Sequence, residues 1–149
     1  MLRLTTALAL VLFAMPLAVL LADDAKRLQD ISFDDLKFDI KPAVRFEESM
    51  LTEKIKGFDG QPIRIRGVMN PSFQQKGIKQ FILLMNAECQ FGSTKDPVWC
   101  NIRVLLDEDQ AASFTTRPIT VEGKLELDVM EGPKYDLSVY LMKDAKVTQ

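Results

Sequence analysis

The chain has 149 residues, of which 19 are Lys or Arg and 21 are Asp or Glu, for a net charge of −2. It contains no histidine and two cysteines. Ser-His-Asp and Cys-His nucleophile pairs, His-ligated zinc or haem, and four-thiolate metal sites are therefore excluded, and the length suits one ordinary domain rather than two.

Arg3 precedes an apolar run from Leu4 to Ala22 that only Thr5, Thr6 and Pro16 interrupt. One positive charge, an apolar stretch and a small residue before a polar segment form an export-signal pattern. Leu20 and Ala22 fit cleavage before Asp23. The alternative is an uncleaved signal anchor, since the 19-residue run approaches the roughly 20 residues of a membrane span. Both readings place the remainder outside the cytoplasm, periplasmic or secreted, and contact with a membrane arises only through an uncleaved segment. From Asp23 onward, 18 basic and 21 acidic residues give a net charge of −3. That balance argues against nucleic acid as the main partner.

Residues 23–30 are charged. Ile31–Ile40 reads as a strand, because Leu36, Phe38 and Ile40 alternate with Lys37 and Asp39. Ser49–Lys56 reads as a short helix, with Glu53 early, Lys54 and Lys56 late, and Gly57 as its stop. Asp59-Gly60 is a turn signal.

The pattern sharpens after residue 60. Ile63, Ile65 and Met69 alternate with Arg64, Arg66 and Val68, and Gly67 falls on the apolar face, where a glycine often marks a bulge or bend. Residues 70–79 (NPSFQQKGIK) form a loop. Gln80–Asn86 (QFILLMN) is an unbroken apolar strand, expected to be buried on both faces. A turn-rich loop, Ala87–Pro97, leads to Val98–Leu106, in which Val98, Cys100, Ile102, Val104 and Leu106 share one face. Asp107–Ser113 reads as a short helix with acids in its first turn. Ile119, Val121, Leu125 and Leu127 alternate with polar residues, with Gly123 on the apolar side. Gly132-Pro133 marks a turn within Asp128–Lys134, and Tyr135, Leu137, Val139 and Leu141 give the last alternation.

Three strands, a short helix and two strands are the element order of a mainly β, five-stranded OB-like Greek-key barrel. Closure removes the edge liability of five short strands, although a small sandwich fits the alternation too. The expected organisation is a signal segment at 1–22, an N-terminal extension at 23–57 with a short strand and helix, and the barrel at 58–149.

The stretches ISFDDLKFDI, IRIRGVMNPSFQQ, IKQFILLM, the CQFG…WC pair and FTTRPITVEGKLEL resemble a family of small exported bacterial proteins that carry one domain of unknown function. The resemblance spans roughly residues 31–145. It implies an exported OB-like domain and supplies no catalytic residue.

Few residues carry candidate chemistry. Cys89 and Cys100 have ten residues between them, and outside the cytoplasm such thiols tend to be oxidised. A structural disulfide is the expectation. The alternative is a redox or metal-handling pair, disfavoured because the spacing is not C-x-x-C and no histidine stands near. Arg64, Arg66, Lys76, Lys79 and Arg103 lie on the outer strand faces and first loop that meet ligands in OB barrels, and Phe73 offers a stacking surface. The competing reading is a solvated strand face. Trp99, opposite the Cys100 face, is a packing residue or an interface anchor.

Three carboxylate clusters are the remaining enzyme candidates. Asp34 and Asp35 diverge if their segment is extended, Glu47 and Glu48 stand alone, and Asp107, Glu108 and Asp109 are accounted for by a helix N-terminus. The expected function is a non-catalytic binding module of the cell envelope, without cofactor, whose partner is a glycan, peptide or protein.

Overall fold

The computed structural model describes residues 27–148, so the expected signal segment lies outside the described residues. The protein is mainly β. Among the described residues its six strands are β1 (Gln29–Asp30), β2 (Gln61–Met69), β3 (Gln80–Leu84), β4 (Asn101–Leu106), β5 (Ile119–Glu131) and β6 (Asp136–Thr148). They form one mixed sheet in the order β1-β2-β3-β4-β6-β5, and β2 also pairs with β5. The β1–β2 and β4–β6 pairs are parallel and the others antiparallel. One four-residue helix, α1 (Glu53–Lys56), precedes β2 and is capped by the Thr52 hydroxyl, which accepts from the Ile55 amide at 3.3 Å.

The strands follow the apolar alternation. Ile63, Ile65 and Met69 of β2 are buried, as are Val121 and Leu125 of β5. β3 explains its unbroken apolar run by serving two cores. Phe81 and Leu83 enter the main core, while Leu84 and Ile82 pack with Cys89, Cys100, Phe91 and Trp99 in a smaller cluster on the other side.

Both glycines in β2 and β5 stand where the chain needs room. β2 leaves β5 at Gly67, which is opposite Ile119, and takes up β3 at Val68. At Gly123 the β5–β6 register shifts between Glu122 and Lys124.

Four expectations need correction. Ile31–Ile40 is not a strand; Phe33–Leu36 is a 3-10 turn. The Asp35 carboxylate accepts from the Ser32 amide at 2.8 Å and its hydroxyl at 3.0 Å, which locks the turn. The three-residue period of a 3-10 turn sends Phe33 and Leu36 the same way, and both are buried. Ser49–Lys56 is not one helix, because Leu51 is extended and separates a 3-10 turn at Glu48–Met50 from α1.

Nor does a helix connect the third and fourth of the five strands after residue 60. The Asp107 amide donates to the Ala145 carbonyl at 2.9 Å, Ala112 and Ile78 exchange both backbone hydrogen bonds, and the Lys79 ammonium donates to the carbonyls of Glu108 and Gln110 at 2.8 and 2.6 Å. Those groups are thus taken by neighbouring elements, and the acids at 107–109 have no helix dipole to favour them. Finally, β5 runs on to Glu131, so the last turn is shorter than Asp128–Lys134.

Residues 31–58 share the main core. Phe33, Leu36, Phe38, Leu51, Ile55 and Phe58 pack with the strand residues. Two polar ties reinforce this. The buried Tyr140 hydroxyl donates to the Leu36 carbonyl at 2.8 Å, and burial pushes its phenol well above the ordinary range. Arg45 donates to the buried Asp136 carboxylate at 2.6 Å, and the Phe46 amide donates to the same carboxylate at 2.7 Å. Tyr140→Phe leaves the Leu36 carbonyl without its buried donor and is expected to cost about 1–2 kcal/mol. Urea denaturation should show a lower midpoint with an unchanged slope.

Candidate functional site

A cleft of about 710 Å³ opens where β2, β5 and β6 meet the connection between β4 and β5. Strand register builds one wall. Arg66 on β2 stands opposite Thr120 on β5, and Thr120 stands opposite Thr148 on β6. The three side chains therefore sit side by side on one face. The other wall is the segment 111–118, held along the first loop by the Ile78–Ala112 bridge and by the Phe114 amide, which donates to the Gln75 carbonyl at 2.9 Å. Thr115 accepts from the Arg117 amide through its hydroxyl at 3.1 Å and so shapes the turn before Pro118. Phe114, Pro118 and Val147 supply apolar surface, and the core residues Met69 and Ile119 lie beneath it.

Among the described residues, the charged side chains that line this cleft are of one sign: Arg66 and Arg117, with no Asp or Glu. Three arginines elsewhere are occupied: Arg45 with Asp136 at 2.6 Å, Arg64 with Glu122 at 2.7 Å, and Arg103 with Asp128 at 2.9 Å. Among the described residues, the side chains of Arg66 and Arg117 have no hydrogen-bonded or ion-paired partner.

The residues singled out from the sequence are scattered by the fold. Arg64 bridges Glu122 and Asp30, on β5 and β1. Lys79 holds the 107–110 turn. Arg103 donates to the carbonyl and carboxylate of Asp128. Phe73 is fully exposed, at 107%, and Lys76 is exposed in the same loop; neither lines the cleft. Of the six, only Arg66 does. Nothing in the sequence brings Arg117, 51 positions on, to the cleft that Arg66 lines. The local signal was the TTRP run, a basic residue fixed between hydroxyls and a proline.

Cys89 and Cys100 are joined in a disulfide with Cα atoms 6.5 Å apart. Both are buried, at 4% and 2% exposure. Trp99 is partly buried against both cores and lies under the Lys37 ammonium, 5.3 Å from the ring centroid. The candidate acids are dispersed. Asp34 pairs with Lys37 at 2.5 Å, and Asp35 pairs with Lys54 at 2.7 Å. That lysine, with the Ser32 amide, holds the Asp35 carboxyl below its usual range.

Glu122 is flanked by Arg64 and Lys146, at 2.7 and 3.1 Å. The Arg64 hydrogen bond, then that of Lys146, lowers its pKa from the ordinary 4.5. A carboxylate more acidic in the folded than in the unfolded chain stabilises the fold above the unfolded value and loses that contribution as pH falls through the folded one. Glu122→Gln is accordingly expected to make stability less steeply dependent on pH below 4.5. Denaturation midpoints measured from neutral to acid pH check this.

No family model and no curated protein matches the chain. In fold it is similar to a solved structure, that of a DUF3299 family protein from Pseudomonas aeruginosa. The TM-score is 0.54 at 13% identity, over 83% of this chain and 97% of that one. At that identity the likeness shows the fold alone.

Proposed function

We propose that this protein is a non-catalytic binding module of OB-like build that works outside the cytoplasm and takes its ligand in the Arg66–Arg117 cleft. The cleft carries the binding reading. Its 710 Å³ falls within the few hundred to about 1,000 Å³ typical of small-molecule sites, and it joins apolar surface to hydroxyls and guanidinium groups. The non-catalytic reading is supported by the ionisable side chains that line it, which among the described residues are arginines. Arginine stays protonated and cannot exchange protons near neutral pH.

The OB-like assignment is supported by the succession of pairings β2–β3–β4–β6–β5 and back to β2, with β4–β6 parallel. The disulfide and the Arg3-led apolar run support an oxidising compartment. The redox alternative is disfavoured by the burial of both sulfurs, since thiol exchange needs an accessible sulfur.

The test is an amide chemical-shift map of the isotope-labelled protein, purified as the cell processes it, against a fragment set of neutral, cationic and anionic small molecules. Shifts gathered at Arg66–Met69, Ala111–Thr120 and Val147–Thr148 are expected. Shifts gathered instead around Phe73 and Lys76, or none at all, would overturn the reading.

A further inference from the structure

We infer that the cleft recognises an oxyanion, a carboxylate or phosphate group, borne on a short apolar chain. The inference rests on the binding role just proposed and adds the chemistry of the ligand.

Charge is the first argument. The chain is net acidic, yet among the described residues this cleft presents two arginines and no Asp or Glu side chain. The Arg45, Arg64 and Arg103 guanidiniums have acidic partners; the two facing the cleft have none among the described residues. A planar guanidinium matches the two oxygens of a carboxylate or phosphate in a fork of parallel hydrogen bonds. Thr120 and Thr148, aligned with Arg66 by strand register, add hydroxyl donors to the same oxygens.

The apolar surface is the second argument. Phe114 and Val147 are half-buried and Pro118 is exposed at the cleft, so their apolar surface is open to a ligand, whereas Met69 and Ile119 beneath are already covered, at 5% and 8% exposure. A free inorganic ion would leave this surface in water. A chain attached to the anion would cover it, with each buried methylene contributing about 0.8 kcal/mol.

Octanoate, octyl phosphate, octanol and octylamine form the probe set, titrated into the protein by calorimetry below their aggregation concentrations. Both anions are expected to bind at least about tenfold tighter than octanol, the amount a charge-assisted hydrogen bond supplies, and octylamine is expected to bind weakest. Arg66→Gln and Arg117→Gln should each weaken anion binding by about tenfold and leave octanol unchanged. The Lys variants at both positions should keep the preference for anions with reduced affinity. An unchanged melting temperature separates these effects from misfolding.

A stronger response to octanoate identifies a carboxylate source, and a stronger one to octyl phosphate a phosphorylated amphiphile. Both outcomes support the inference. Equal binding of octanol and the anions overturns the charge inference and leaves the cleft as a binding site. No binding of any anion overturns it as well.

Discussion

Gly67→Ala is expected to destabilise the protein by about 3 kcal/mol or more, the upper range for overpacking a close-packed interior. A Cβ at this position would stand 2.5 Å from the Leu84 carbonyl oxygen and 2.9 Å from Leu83 Cγ. Neither neighbour moves cheaply. The carbonyl belongs to β3, which is paired along its length with β4, and Leu83 is fully buried. The added methyl must therefore push β2 and β3 apart at the point where β2 changes neighbours.

Gly123→Ala should act in the same way, because its Cβ would lie 2.7 Å from Met142 Cγ and 2.8 Å from the Lys143 carbonyl. For a domain of this size the loss corresponds to a melting temperature lower by roughly 10 °C. Thermal unfolding followed by circular dichroism reads it directly. A shift of only a degree or two would mean that the strands are not packed this closely.

Removing the disulfide should have a comparable effect. The bridge closes a loop whose ends are 11 positions apart, and in the chain-entropy model a loop of that size contributes about 3 kcal/mol. The Cys89→Ala/Cys100→Ala double variant also gives up buried sulfur packing against Leu84, Ile82 and Phe91. Denaturant midpoints of the wild type with and without reductant, and of the double variant, measure the two contributions separately. The reduced wild type should be less stable than the oxidised form. Equal midpoints under both conditions would contradict the placement of the bridge.

How far the fold could be read in advance depended on where its information lay. FILLM announced a strand buried on both sides because every position from Phe81 to Met85 is apolar, and its two cores bear that out. Period-two alternation located β2 and β5 because each has one face in the main core, whereas β6 is buried on both faces from Val139 to Met142 and gives that core Tyr140 and Met142, from the face opposite the one its alternation marked. Phe33–Leu36 misled because Leu36, Phe38 and Ile40 also alternate, whereas the deciding contacts were Ser32 with Asp35 and the burial of Phe33. Asp107–Ser113 misled because its composition suits a helix, while its hydrogen bonds are drawn off by Lys79, Ile78 and Ala145. A strand's neighbours are not encoded in its own residues.

The cleft was illegible on the same ground. Arg66, Thr120 and Thr148 meet through the register of three strands, and Arg117 reaches the same cleft through a turn. The charge pattern of β2 therefore drew attention to Arg64, which the fold neutralises with Glu122 and Asp30, as readily as to Arg66, which it leaves facing the cleft.

The most direct test is a crystal structure of the protein in complex with octanoate or octyl phosphate. The account predicts the anionic head between the guanidinium groups of Arg66 and Arg117, within hydrogen-bond distance of Thr120 or Thr148, with the chain lying against Phe114 and Val147. Ligand density at the Phe73 loop, or an empty cleft at saturating ligand, would contradict it.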